Sequence, residues 1–365
     1  TYLDDFESSQ TSIDIRNPRS WTMASTPAGQ PDLFPEASIK GLEYGYNRAR
    51  LAWYNVDPLF YRSEARTPDN IKNNPELQSE HYTRQVWSEE VFPNLQLDAS
   101  QVKTIPVLDL AFYPEEKGPY NYDVEGEPGI SAGIDGSTGA LLAPETRWGG
   151  IMRDLTTTNF EQQNIEFIQF WIMDPFLEDP NAEGGELYFN IGNVSEDILK
   201  DGKQAIENGI PVDGDASKLD STAWGLAPKT RPPVIAFEND ATVRTAQDVG
   251  FDLLNDAQER AYSFNGNPTY LERIATAFGQ TSLAYQTAQG DPANDNFSYY
   301  RSDALDQAGA DIRQRYKNFN NQEGNSNTTQ VNGISAFATN NPDIEDVNGD
   351  QTLSNTEAYY QYKVS

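Results

Sequence analysis

Cysteine is absent from the sequence, and histidine occurs once, as His81. The first absence excludes a disulfide framework, thiol catalysis and cysteine-ligated zinc. The second excludes a histidine-based metal cluster and leaves a Ser-His-Asp triad only one residue to draw on. His81 lies in a polar stretch and reads as a surface side chain. Basic residues are also scarce: 26 against 56 acids, for a formal net charge of -30. Long-range repulsion then disfavours nucleic acid or an anionic membrane surface as a partner. No apolar run approaches the length of a transmembrane helix, and no signal peptide opens the chain. Beginning at Thr1, it reads as a processed protein or an excised piece. Gly41 to Tyr46, G-L-E-Y-G-Y, has neither the spacing nor the basic partner of a phosphate-binding loop, and no internal repeat stands out.

What is present is enough for one large or two ordinary domains in 365 residues. Asp, Asn, Gly, Pro and Tyr are abundant and Lys is sparse, which suits a secreted or surface-exposed protein. The stretch Asn164 to Val194 organises the reading. Ile165, Phe167, Gln169, Trp171 and Met173 fall on one side of a strand and Glu166, Ile168, Phe170 and Ile172 on the other. Both sides are largely apolar, as in a strand buried between two layers. Asp179, Pro180, Asn181, Gly184 and Gly185 then reverse the chain into Leu187, Phe189 and Ile191, predicting a core hairpin.

Further strands are expected at Thr1–Arg16, at Leu51–Trp53 ahead of Asp57-Pro58, at Gln101–Tyr113, in P-P-V-I-A-F-E (232–238) and in the closing E-A-Y-Y-Q-Y-K-V. Short helices are expected at Ser79–Val91, Ser195–Gly202, Asp248–Ala261 and Leu305–Phe319, and Asn320–Asn332 reads as a mobile linker. Without regular strand-helix alternation, this predicts a mainly β fold, a jelly-roll-like β-sandwich with long loop and short-helix insertions. One domain would span 1–365, built mainly from 1–25, 40–62, 101–113, 150–194, 232–238 and 356–365, with 63–100 and 195–340 as insertions.

The sharpest chemical signal is D-V-N-G-D-Q-T-L-S-N-T-E, Asp346 to Glu357. Asp346, Asn348 and Asp350 place side-chain oxygens at loop positions one, three and five, Thr352 offers a carbonyl at seven, and Glu357 a bidentate carboxylate at twelve. Calcium needs this spacing because successive oxygens must converge on one hard cation. Gln351 stands where glycine usually makes the bend, and Pro342 denies the preceding helix, so the expectation is a calcium loop joined to a sheet. The competing reading is a metal-free Asp/Asn-rich turn. Asp4, Asp5 and Glu7 are a weaker acidic cluster, read as calcium ligands or as solvated turn carboxylates.

Paired carboxylates for glycoside hydrolysis are a further class, but with 56 acids nothing isolates one pair. A calcium-dependent carbohydrate-binding jelly-roll module or adhesin, taking a glycan on exposed aromatics, needs fewer assumptions than a glycoside hydrolase.

Taken together, R-L-A-W-Y-N-V-D-P-L-F-Y (50–61), T-R-W-G-G-I-M-R (146–153), F-W-I-M-D-P-F (170–176), G-E-L-Y-F-N-I-G-N-V-S-E-D-I-L (185–199) and D-V-N-G-D-Q-T-L through Y-Y-Q-Y-K-V resemble a segment of the SprA (Sov) family. These are gliding-motility cell-surface proteins that form the outer-membrane translocon of the type IX secretion system. The resemblance runs from Tyr2 to Val364 and covers a modest internal part of the family's longer sequence. It implies a non-enzymatic role in protein export, with the remainder of the translocon barrel, the outer-membrane partner PorV, a plug protein and secreted cargo as partners. No series of roughly ten-residue lipid-facing strands is present, so this segment is not the barrel wall. An insertion between barrel strands at the extracellular mouth is the expected place. The family offers no catalytic residues to carry over.

Overall fold

The computed structural model describes residues 13–98, 100–156, 159, 170–182 and 184–364. Its strands form six separate antiparallel pairs. β1 (Thr22–Met23) pairs with β6 (Ile151–Met152), β2 (Ala49–Tyr54) with β5 (Asp109–Lys117), and β3 (Val86–Trp87) with β4 (Thr104–Ile105). β7 (Leu187–Asn193) pairs with β12 (Ala358–Val364), β8 (Leu219–Ser221) with β9 (Leu226–Pro228), and β10 (Thr329–Val331) with β11 (Ile334–Ala336). Short helices fill much of the rest: α1 (Asp69–Lys72), α2 (Pro75–Ser79), α3 (Ser88–Val91), α4 (Ala241–Gln247), α5 (Asp256–Ala261), α6 (Tyr270–Phe278), α7 (Leu283–Gly290), α8 (Asp303–Gln307) and α9 (Ile312–Tyr316).

The mainly β, jelly-roll-like sandwich is therefore corrected: among the described residues no sheet exceeds two strands and none closes or stacks into a sandwich. The physical reason is visible at the free edge of β2. There Asn320 Oδ1 accepts from Trp53 N–H at 2.8 Å and its Nδ2 donates to Trp53 O at 2.9 Å. One amide side chain takes the place of a third strand. The same happens at 232–238, where Asn208 Nδ2 donates to Val234 O and Ala236 O at 3.0 and 2.9 Å and no strand forms. Side chains that bond to nearby backbone compete with ladders, and this sequence is rich in them.

The expected core hairpin is corrected as well. Residues 164–169 lie outside the described residues, as do residues 1–12 of the expected opening strand with Asp4, Asp5 and Glu7. Phe170 to Met173 is not a strand, and Trp171 is 63% exposed. The second arm is β7, whose partner is β12, in register from Leu187 opposite Val364 to Asn193 opposite Ala358. The closing strand thus forms where its tyrosines and valine favour it. Ser195–Gly202 is a chain of bends with Lys200 at φ +53° rather than a helix. Leu305–Phe319 divides into α8 and α9, and β3 interrupts the helix expected at Ser79–Val91.

The main core gathers Tyr44, Trp53, Tyr120, Trp224, Phe251 and Ile274, with Ile198, Leu199 and Ala205 supplied by the loop after β7. A second, aromatic core joins β2 to α9: Tyr54 and Tyr316 stack at 4.1 Å with planes 6° apart, and Tyr300 stacks on Tyr316 at 4.8 Å. Helix α6 turns Tyr270, Leu271 and Ile274 inward and starts from a reciprocal cap, in which Thr269 accepts from Glu272 N–H and Glu272 accepts from Thr269 N–H.

Between the cores the polar groups are as buried as the apolar ones. Arg147 donates to the carbonyls of Tyr46, Gly133 and Leu142 at 2.7, 3.0 and 2.9 Å and pairs with Asp123 at 3.1 Å, both side chains fully buried. Asn320–Asn332, expected to be a linker, contributes buried Asn321, Gln322, Asn325 and Ser326. Its backbone is held inside: Asp248 accepts from Gly324 and Ser326 N–H at 3.1 and 2.8 Å.

The two tryptophan environments give opposite expectations for truncation. Trp224→Ala, 2% exposed in the core, is expected to cost about 3–5 kcal/mol in urea unfolding. Trp171→Ala, 63% exposed with an edge contact to Phe92 at 6.2 Å, is expected to cost about 1 kcal/mol or less. Equal losses would contradict this division of the core.

Candidate functional site

The Asp346–Glu357 loop is built against the segment that leaves β7. Glu345, just ahead of it, is fully buried and accepts N–H bonds from Ile198, Leu199 and Ala205 at 2.6, 3.3 and 2.7 Å. In return Glu196 accepts from Val347 and Asn348 at 2.9 and 3.2 Å through Oε1, and from Ser354 at 3.0 Å through Oε2. Glu196 N–H donates to Ser354 O at 2.8 Å. Two glutamates reach across from opposite sides, each supplying the acceptors that the other segment's irregular backbone lacks. Burial nevertheless raises the Glu345 carboxyl well above the usual carboxylate range, because desolvation outweighs these bonds.

Within this frame the five expected ligands point to different partners. Asp346 is nearly fully buried and takes its counter-charge from Arg231, at 3.0 Å, while also accepting from Gln351 N–H at 3.1 Å. Asn348 Oδ1 accepts from Asp350 N–H at 2.8 Å, and Asp350 Oδ1 accepts from the N–H and hydroxyl of Thr352 at 2.8 and 2.6 Å. The Thr352 carbonyl accepts from Gln204 Nε2 at 3.4 Å. Glu357 Oε1 accepts from Ser195 N–H at 3.2 Å, and its Oε2 is buried with no hydrogen-bond partner. Asp346, Asn348 and Asp350 therefore share one turn, while Glu357 closes the loop onto Ser195. A cation entering the turn would compete with Arg231 for Asp346 and with the N–H groups of Asp350 and Thr352.

Gln351 sits at φ +69°, so the bend that glycine usually makes is made here by a residue with a side chain. That conformation costs on the order of 1 kcal/mol in a non-glycine residue. The loop keeps it because the bonds from both flanks over-determine it. His81 lies away from this loop: its Nε2 is 2.7 Å from Asp174 O and its N–H donates to Glu178. Sequence spacing did not reveal a second convergence of acids, Asp252, Glu259 and Asp295 with Asp256 and Glu323, because its members come from separate segments.

With the loop, its staples and β12 defined, the comparison with known families can be placed on the structure. Residues 269–365 match the SprA_N family model, a motility related/secretion protein. This is the family that the sequence motifs resemble. The matched stretch begins at the capping Thr269 of α6 and runs through α7, α8, α9, the Asp346–Glu357 loop and β12. No curated protein matches the chain. A motility and secretion family suggests involvement with the cell envelope, and the family description names no reaction. No helix among the described residues is long and apolar enough to cross a membrane.

The staple and the bend are expected to respond in opposite directions. Glu196→Ala strands three N–H donors and is expected to lower unfolding stability by about 3–5 kcal/mol. Gln351→Gly relieves the left-handed strain and is expected to raise it by up to about 1 kcal/mol. Denaturant midpoints of the two variants check both; a destabilised Gln351→Gly would show that the side chain, not the bend, matters there.

Proposed function

We propose that this chain is a non-catalytic domain of the outer-membrane protein translocon of the type IX secretion system, inserted between barrel strands at the extracellular mouth and used in protein export and gliding motility. The observation that carries the reading is the SprA_N match over residues 269–365, taken with the sequence motifs that extend the resemblance towards the other end of the chain. Its partners are then the rest of the barrel, PorV, the plug protein and passing cargo.

Three features support the reading. The described strands form isolated pairs, the longest being β5, β7 and β12, rather than a staggered series from which a barrel wall is made. The chain leaves large apolar side chains outside, among them Trp171, Ile172, Leu177, Tyr360 and Tyr362. Such groups suit a chain that packs against neighbouring parts of an assembly. The net charge of -30 keeps the remaining surface hydrated and repels anionic surfaces. The carbohydrate-binding alternative rested on a jelly roll, and two-stranded pairs do not provide one.

Topology on cells tests the proposal. Gly266 lies in an exposed turn, with open space where a side chain would project, so an epitope and protease site placed after it leaves both cores intact. In intact cells the tag is expected to be cut by added protease and stained by antibody. Protection of the tag in cells whose barrel is demonstrably surface-exposed would rule out the extracellular position.

A further inference from the structure

Four carboxylates from three stretches of the chain meet beside Tyr120, Asp252, Glu259 and Asp295 buried and Glu323 half-buried. Asp252 follows the turn at Gly250, Glu259 is on α5, Asp295 is in the loop after α7, and Glu323 is tied to that loop by its N–H bond to Asp295 O at 2.9 Å. Each has one oxygen fixed by a protein donor. Leu254 N–H donates to Asp252 Oδ1 at 3.0 Å, Ala293 N–H to Glu259 Oε2 at 3.0 Å, the Tyr120 hydroxyl to Asp295 Oδ2 at 2.8 Å and Asp256 N–H to Glu323 Oε1 at 3.3 Å. In all four the second oxygen is buried and has no hydrogen-bond partner. Asp252 and Asp295 are fully inaccessible and Glu259 is 4% exposed.

These orphan oxygens belong to groups that converge. Ligand oxygens of Asp252, Glu259 and Asp295 lie within 4.8 Å of one another, and Glu259 also joins Asp256 and Glu323 in a second such group. Oxygens on opposite sides of a calcium ion, each at about 2.3–2.6 Å, are about 4.6–5.2 Å apart, so the spread fits one coordination sphere. No ion pair among the described residues involves Asp252, Glu259, Asp295 or Glu323, in contrast to Asp123 with Arg147 and Asp346 with Arg231; Asp256 of the second group pairs with Arg260 at 3.6 Å and accepts from Asn296 Nδ2 at 3.2 Å. An isolated buried carboxylate costs several kcal/mol, and four facing one another cost more unless a cation or protons compensate. Burial and mutual repulsion push the Glu259 carboxyl up to about 12, and burial pushes that of Glu323 up to about 8.

The surrounding chain is shaped to keep the acids in place. Gly250 has φ +76°, and a Cβ there would lie 2.3 Å from Asp295 Oδ2 and 2.8 Å from the Tyr120 hydroxyl. The same hydroxyl accepts from Phe251 N–H at 2.8 Å, so its proton is directed to Asp295.

We propose that Asp252, Glu259 and Asp295 form a buried site for a hard divalent cation, with Glu259 linking it to a second position on Asp256 and Glu323. An all-oxygen donor set with no nitrogen or sulfur selects calcium or its chemical relatives over zinc or copper. The site is separate from the Asp346–Glu357 loop and does not depend on the secretion reading. Its ion would be a structural counter-charge holding α5 to the 291–297 and 320–326 loops.

Calcium titration of the chelator-treated full chain tests this by calorimetry and by thermal melting. One millimolar calcium is expected to raise the Tm of the native chain by roughly 5–10 °C. Glu259→Gln keeps the side chain's size and removes its charge. It is expected to lose most of that rise and to bind calcium at least about tenfold more weakly, while melting no lower than the native chain in chelator. An Asp346→Asn, Asp350→Asn double variant is expected to keep the rise. If Glu259→Gln fails to fold, Asp252→Asn is read in the same way, alongside the calcium content of native protein dialysed without chelator. A native chain that shows neither heat nor Tm shift nor bound calcium overturns the site. So does a shift that survives in Glu259→Gln or Asp252→Asn and disappears in the loop variant.

Discussion

The constraint on which this structure depends is the hydrogen bonding of irregular backbone in a dry interior. Helices and broad sheets satisfy their own backbone groups; a fold made of short helices, two-residue strands and long loops does not. Here the missing partners are side chains. Arg147 gathers the carbonyls of three loops around its pairing with Asp123, and Arg48 reaches Pro119 O and Ile198 O at 3.2 and 3.0 Å. Asn121 donates to Tyr46 O and Arg48 O at 2.8 and 2.6 Å. Removing Arg48 takes the donor from Pro119 O and Ile198 O, each costing about 1–3 kcal/mol, whereas Tyr46 O, shared by Arg147 and Asn121, keeps one donor when either is lost. A buried pair such as Arg147 with Asp123 adds little net stability compared with an apolar replacement, but breaking half of it is expensive. Its consequence is positional: the loops can pack only where the guanidinium finds them.

That mechanism also explains why the cores are aromatic. Widely spaced loops leave gaps that flat rings fill well, and the Tyr54, Tyr316 and Tyr300 stack spans from β2 to α9 without a sheet between them. Polar tips then reach the backbone. The Tyr316 hydroxyl accepts from Asp57 N–H at 2.8 Å, and the single Tyr262 hydroxyl proton is shared in the β8–β9 turn between Thr222 O and Gly225 O, at 2.6 and 2.7 Å from the phenol oxygen. Tyrosine serves both needs.

What could be read from the residues was local. β2, β5, β7 and β12 stand where β-branched and aromatic residues cluster, and α5 falls within the stretch expected to be helical. That the strands stay in pairs and build no sandwich was not legible, because strand patterns are local and nothing in Leu51–Trp53 shows that Asn320 will occupy its second edge. Polar composition misled most at Asn320–Asn332, where the same amides that suggest a linker are buried partners of Asn294, Asn296 and Asp343. The turn within Asp346–Glu357 was legible because its Asp and Asn residues lie close together in the sequence. Asp252, Glu259, Asp295 and Glu323 were not, since only the folded chain brings their separate segments together.

The acids of this chain fall into three physical classes. Glu196 is compensated by backbone N–H groups, Asp123 and Asp346 are paired with arginine, and each acid of the Asp252 cluster retains one oxygen without a hydrogen-bond partner. The first two solutions are written into the chain and need nothing from outside. The third is left for a cation or protons to compensate, because among the described residues no ion pair reaches Asp252, Glu259, Asp295 or Glu323, and Arg260 pairs with the neighbouring Asp256. Chains with many acids also repel themselves, and divalent cations relieve that repulsion more effectively at a converging site than along a surface. If the cluster takes such an ion, the packing of α5 against the loops at 291–297 and 320–326 becomes dependent on the medium. The chain would then complete its packing where divalent ions are plentiful, while the regions held by Arg147 and Glu196 would form without them.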